Sequence, residues 1–199
     1  FLSGTALSPE YLTSYLLLPN GNQTALAEGS SLLFEPTVVG QTASATVIVS
    51  NRGTGAGAVN RITLSGDAFR TSGIPLLPAS VLPDRDIRFT LTFAPSARQR
   101  FAGSLRIEFA NAPNRLIPIE ATGIGADLLF ESIDGESATR VEPNGTVAMP
   151  DTNAGSTSQL VFRLRNLGDS DARITAFTSP AAPFALADLP PLPATVAPG

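Results

Sequence analysis

The chain has 199 residues, 13 basic residues that are all Arg, 17 carboxylates and a net charge of −4; Cys, His and Trp are absent. Without Cys there is no disulfide framework or thiolate metal site, and without His and Lys there is no Ser-His-Asp triad, Cys-His pair or Schiff-base lysine. Apolar residues at 43% exclude disorder throughout, and Gly and Pro at 17 each suit many short strands joined by turns.

The exclusive use of Arg is the bias a GC-rich bacterial genome produces. Residues 1–125 carry 9 Arg against 8 carboxylates, and residues 126–199 carry 4 against 9. No basic stripe results, so nucleic acid and anionic membrane are not expected partners. No apolar run approaches the ~18 residues that span a bilayer, so membrane insertion is not expected either. Residues 1–20 show no basic region followed by an apolar stretch, so no signal peptide is read there. The chain begins at Phe1 and reads as a fragment or a processed form.

Residues 1–27 are expected to be the end of a preceding repeat and a connecting hairpin. Phe1–Ala6 loosely echoes Ile119–Gly123, and Pro9–Leu18 reads as a strand because Tyr15–Leu18 runs into the turn signal Pro19-Asn20-Gly21. From there period-two alternation dominates. Ala45, Val47 and Val49 alternate with Ser44, Thr46 and Ser50 before Asn51-Arg52-Gly53 makes a turn. Val59 and Ile62 are three apart, which a bulge would reconcile. Ile87, Phe89, Leu91 and Phe93 alternate with Arg88, Thr90 and Thr92 until Ala94-Pro95 stops the run. Leu105, Ile107 and Phe109 alternate with Ser104, Arg106 and Glu108; Asn111–Asn114 turns the chain; Ile117, Ile119 and Ala121 form a last strand. Pro118 lacks a ladder donor and suits an edge or an outward position.

The pattern then starts again. Residues 34–84 align without a gap on residues 149–199, a shift of 115. The same residue stands at Thr37/Thr152, Gly40/Gly155, Asn51/Asn166, Gly53/Gly168, Phe69/Phe184, Pro78/Pro193, Val81/Val196 and Pro83/Pro198, among others. The apolar faces keep parity, with Leu160, Phe162 and Leu164 alternating with Gln159, Arg163 and Arg165. The fold expected is all-β: tandem immunoglobulin-like antiparallel sandwiches, a complete one over 28–124 and a second over 125–199. The second is truncated before the counterparts of the Ile87–Phe93, Leu105–Phe109 and Ile117–Ala121 strands, so the chain reads as a window cut from a longer array.

The motifs Val38-Val39-Gly40-Gln41-Thr42, Ser50-Asn51-Arg52-Gly53 and Phe89-Thr90-Leu91-Thr92-Phe93-Ala94-Pro95 resemble the ASH-type immunoglobulin-like domains, the abnormal-spindle and Hydin type. Ala154-Gly155-Ser156-Thr157 and Arg165-Asn166-Leu167-Gly168 carry the likeness into the second copy. It covers about 30–124 and 146–199. The resemblance implies a sandwich similar to major sperm protein, no catalytic residues, and a place in bacterial surface repeat proteins or in ciliary scaffolds.

Candidate sites are few. Asp84-Arg85-Asp86 and Asp169-Ser170-Asp171 each place two carboxylates in a turn, too few oxygens for calcium. Gly53-Thr54-Gly55-Ala56-Gly57 lacks the Lys and the following helix of a phosphate loop. Asn22 and Asn144 match the glycosylation acceptor pattern by coincidence. Arg88 and Arg106, with Glu108 nearby, sit on outward faces of strands that could neighbour each other, where they keep the sheet soluble. Tyr11 and Tyr15 precede the first full repeat, and with no Trp a sugar platform is not expected. The eleven Phe read as core. No catalytic, cofactor-binding or metal-ligating residue is assigned.

The expected function is a non-catalytic structural or adhesive module of a large bacterial surface or extracellular protein, acting as spacer or protein-interaction scaffold. The alternatives are an intracellular scaffold in the cytoplasm and an accessory binding module of a larger enzyme. The expected partner is protein, with strand-pairing self-association through the open edge of the second repeat.

Overall fold

Alternation of apolar and polar residues is what a strand half-buried in a sandwich requires, and the structure, a computed structural model, is built from such strands. It describes residues 6–178 and 180–199, so the echo expected at Phe1–Ala6 lies, except for Ala6, outside the described residues. The chain divides into two units, residues 1–123 and 124–199.

The first unit begins with β1 (Tyr11–Leu17), β2 (Gln23–Ala25), β3 (Leu32–Leu33), β4 (Thr37–Val38), β5 (Ala43–Asn51) and β6 (Gly57–Ser65). It continues with β7 (Phe69–Ser72), β8 (Ala79–Val81), β9 (Asp86–Phe93), β10 (Arg100–Phe109) and β11 (Arg115–Ile124). One sheet runs β2-β1-β5-β9-β7; the other runs β3-β11-β10-β6-β8, with β4 also on β11. All these pairings with a resolved register are antiparallel except β3 on β11. Val47, Val49, Phe89 and Leu91 of the first sheet join Leu105, Ile107, Ile117 and Ile119 of the second in one buried cluster. Two sheets sharing one core are an immunoglobulin-like sandwich. Phe34, Phe69, Phe93 and Phe101 stack or tilt on one another at one end of it, with centroids 5.3–6.1 Å apart.

Two expectations change. The sandwich does not start at residue 28: β1 pairs with β5 along seven residues, from Tyr11↔Asn51 to Leu17↔Ala45. Residues 11–25 are therefore the outer strands of the first sheet, and the bland polarity of Thr13 and Ser14 hid that. Tyr15 is buried, and Tyr11 stacks on Phe109 with centroids 4.0 Å apart, so both tyrosines belong to the core region of this unit. The bulge sits where the spacing placed it, with the register of β6 on β10 slipping between Arg61↔Glu108 and Val59↔Phe109. Pro118 faces outward, and its nitrogen points away from β10, toward the short β3, so no bond of the long ladder is lost.

The second unit has β12 (Leu128–Asp134), β13 (Ser137–Arg140), β14 (Val161–Asn166), β15 (Ala172–Ile174) and β16 (Ala194–Val196). Its sheets are β13-β12-β14 and β15-β16. Leu128↔Asn166 stands where Tyr11↔Asn51 stands in the first unit, and Ala172↔Val196 where Gly57↔Val81 stands. The strands from β13 onward keep the shift of 115, while β12 is shifted by 117 from β1. The difference lies in the hairpin between them. Gly135-Glu136 is a two-residue turn with Gly135 at φ 57°, whereas Leu18–Asn22 connects β1 to β2.

Candidate functional site

Asn51 in the first unit and Asn166 in the second each close their own unit by the same set of bonds. The Asn51 amide donates to the carbonyls of Gly55 (2.8 Å) and Val81 (2.9 Å), and its Oδ1 accepts from the backbone of Glu10 (3.1 Å) and Gly53 (3.0 Å). Asn166 donates to Ser170 (2.8 Å) and Val196 (2.9 Å) and accepts from Asp127 and Gly168, both at 3.0 Å. A side chain with two donors and two acceptor sites is the one that can close such a latch. The glycine that follows is required by close approach. A Cβ on Gly53 would lie 2.2 Å from the Ser8 carbonyl, and one on Gly168 would lie 2.3 Å from the Gly125 carbonyl. The Asn-x-Gly motif was read as a turn; its role as a latch on the preceding segment could not be read without knowing that β1 and β12 lie alongside.

The two latches lead to different surroundings. β5 is flanked by β1 and β9, and Val47 is 0% exposed; among the described residues β14 pairs along its length with β12, with an isolated bridge from Asn166 to Pro198 on the other side, and Phe162, the counterpart of Val47, is 39% exposed. Phe69, under β9 and paired to it, is 1% exposed, while Phe184 is 54% exposed and lies outside any strand. Phe130 of β12 stacks on Phe162 with centroids 5.1 Å apart and an interplanar angle of 8°. Phe130, Phe162 and Leu164 thus lie on one face of the β12-β14 pair. The expectation that the Phe are largely core holds for the inward positions of the first unit, while Phe130, Phe162 and Phe184 are exposed. On the opposite face Arg163 reaches the Glu131 carboxylate at 2.9 Å, and Arg165 is exposed. A shallow depression of about 350 Å³ lies at the other edge of the same sheet, lined by Leu128, Phe130, Arg140, Val141 and Glu142, with Arg140 and Glu142 paired at 2.8 Å.

The other candidates are placed singly. Arg88 and Arg106 do not neighbour each other: β9 and β10 lie in different sheets, because the chain crosses the sandwich between them. Each has a local partner instead, Asp86 at 2.8 Å and Glu108 at 3.1 Å, exposed pairs that add little to stability. Asp84 takes a left-handed φ of 58° at the turn before β9 and faces Arg52 at 3.6 Å. Asp169 accepts the Gly125 amide at 2.6 Å and so ties the start of its unit to the turn after β14. Gly53–Gly57 is the crossover from β5 to β6. Among the described residues no three His, Cys, Asp or Glu converge as metal ligands, and no helix is long and apolar enough to cross a membrane. Burial pushes the Tyr11 hydroxyl above the usual phenol range; the Ala58 backbone pulls the other way without forming a hydrogen bond of good geometry.

No protein-family model matches the chain, and no curated protein matches it. Among solved structures it is similar to the ASH / PapD-like domain of human CEP192 (PapD-like domain 7). The identity is 16% over 49% of this chain and 83% of that one, with a TM-score of 0.36. It is also similar to a chain of the CsuC-CsuE chaperone-tip adhesion subunit pre-assembly complex from archaic chaperone-usher Csu pili of Acinetobacter baumannii. There the identity is 13% over 92% of this chain and 86% of that one, with a TM-score of 0.33. By its own strands the chain is all-β among the described residues, and the two sheets of the first unit form an immunoglobulin-like sandwich.

Proposed function

We propose that the chain is a non-catalytic structural and protein-binding stretch of a tandem β-sandwich array, displayed on a bacterial cell surface or secreted. One observation carries the reading: the strand pairings of the second unit reproduce pairings of the first, with a two-residue difference confined to the hairpin between β12 and β13, and an equivalent asparagine latches both. Repetition of strands and of a structural latch is what a spacer needs. On this reading residues 124–199 are a second copy of the domain.

The place in the cell is tested with an antibody raised against the chain. Intact producing cells are expected to be labelled, with loss of label after brief surface proteolysis. Labelling that requires permeabilised cells would replace this reading with the intracellular scaffold.

A further inference from the structure

The chain crosses the first unit from one pole to the other. It enters at the pole where β5 ends: Tyr11 pairs with Asn51, and Pro9 and Tyr11 lie against Gly57, where β6 begins. Val81, Asp86 and Phe109 stand at the same pole, through the Asn51 amide, the Ser50↔Asp86 pair and the stack of Phe109 on Tyr11. It leaves at the opposite pole. There Gly123 donates its amide to Gln99 and lies against Pro95, just past the Ala43↔Phe93 pair. β1 and β11 therefore both run from the entry pole to the exit pole, one in each sheet. β1 is held along seven pairs on β5, and β11 along eight on β10. The chain is also tied down where it enters. Arg52 donates its amide to Glu10 at 2.7 Å and Gly55 to Ser8 at 3.0 Å, while Glu10 donates to Asn51. The second unit ties its own entry in the same way, with Leu167 donating to Asp127 and Asp169 to Gly125.

We propose that the first unit is a load-bearing element, in which tension along the chain is carried by shear of the β1 and β11 ladders. The bonds between antiparallel strands lie perpendicular to the strands. A pull along a strand therefore loads every bond of its ladder at once, whereas a pull across it opens them one after another. Because entry and exit stand at opposite poles, an axial pull draws β1 back along β5 and β11 forward along β10. The strand directions of two packed sheets stay within about 30° of each other, so both ladders are loaded nearly lengthwise. Side chains resist the same slide. Tyr15 is buried and Tyr11 is stacked on Phe109, and moving β1 by one residue would turn that row to the opposite face. This rests on the tandem-array part of the proposed function, since neighbours on both sides are what put a unit under tension. Its test is made on the purified chain, so a failure there would leave the array and its place in the cell standing.

The chain has no Cys, so two introduced cysteines define where force is applied. In one variant Leu7→Cys and Ala126→Cys carry the handles, and the pull runs from pole to pole of the first unit. In the other Leu7→Cys and Arg85→Cys carry them, both at the entry pole, and the ladders on β5 open from one end. All three positions are exposed, and the whole chain is kept. Unfolding lifetimes at one constant force are compared in optical tweezers. The axial variant is expected to last at least tenfold longer than the peeling variant, a barrier difference of about 1.4 kcal/mol, and to give way in a single step. Urea midpoints read without load show that both variants are folded and equally stable, and Ser8→Cys in place of Leu7→Cys repeats both pulls where one is not. An axial lifetime equal to or shorter than the peeling lifetime, or axial extension in a series of small steps, would overturn the proposal.

Discussion

Replacing Asn51 with Ala tests the latch directly. The side chain is 0% exposed and makes four hydrogen bonds, so its removal strands two carbonyls and two amides in the interior. Each orphaned group costs about 1–3 kcal/mol. Arg52 beside it is exposed, so water reaches the rim of the turn and the lower end of that range applies to some of the four. A total loss of about 4–6 kcal/mol follows. With a urea slope of about 2 kcal/mol/M, the unfolding midpoint should fall by roughly 2–3 M. The assay is built into the chain: Tyr11 and Tyr15 are the 2 tyrosines, there is no Trp, and both lie in β1, so tyrosine fluorescence reports the first unit. Asn51→Asp is the sharper variant. It keeps the acceptor for Glu10 and Gly53 but turns an oxygen toward the carbonyls of Gly55 and Val81, so at neutral pH it should also destabilise. A midpoint within about 0.3 M of the parent for Asn51→Ala would refute the idea that the latch holds β1 to the sandwich.

Phe89→Ala should cost about 3–5 kcal/mol in the same urea assay, because Phe89 is buried between the sheets and the space it leaves cannot close. Tyr11 gives a pH signature: its hydroxyl holds its proton more tightly folded than unfolded, so its contribution is complete below the ordinary phenol value of about 10 and is lost as pH rises past it. Tyr11→Phe should flatten that alkaline decline in thermal stability while leaving the neutral-pH value nearly unchanged, since the hydroxyl has no well-formed hydrogen bond.

The sandwich strands were legible where side chains alternate in large apolar and polar steps. Val47, Phe89, Leu105 and Ile107 show this, and each is buried. β1 was legible as a strand but not as a member of the first unit. Its inward residues are Tyr11, Thr13 and Tyr15, and a threonine at an inward position breaks the hydrophobic signal. Its counterpart β12 escaped because a two-residue difference in one hairpin moves the shift from 115 to 117, and an ungapped comparison cannot cross it. The sequence leaves open whether Arg88 and Arg106 lie side by side, and the topology separates them. Sequence shows that two strands are consecutive, and only the topology shows that β9 and β10 lie in opposite sheets.

The chemistry of β14 comes from comparing the two units position by position. A local hairpin and a latch suffice to form β12, β13 and β14, because they need only neighbours close in sequence or held by Asn166. Burying the inward face needs strands from far along the chain, and those are what distinguish the first unit. The inward residues of β14 nevertheless remain apolar and become larger, Val47 giving way to Phe162 and Val49 to Leu164. Leaving a large apolar side chain in water rather than covering it forfeits about 1.5–3 kcal/mol. On β14 Phe162 and Leu164 share one face with Phe130, while Arg163 and Arg165 share the other with Glu131 and the exposed Val161.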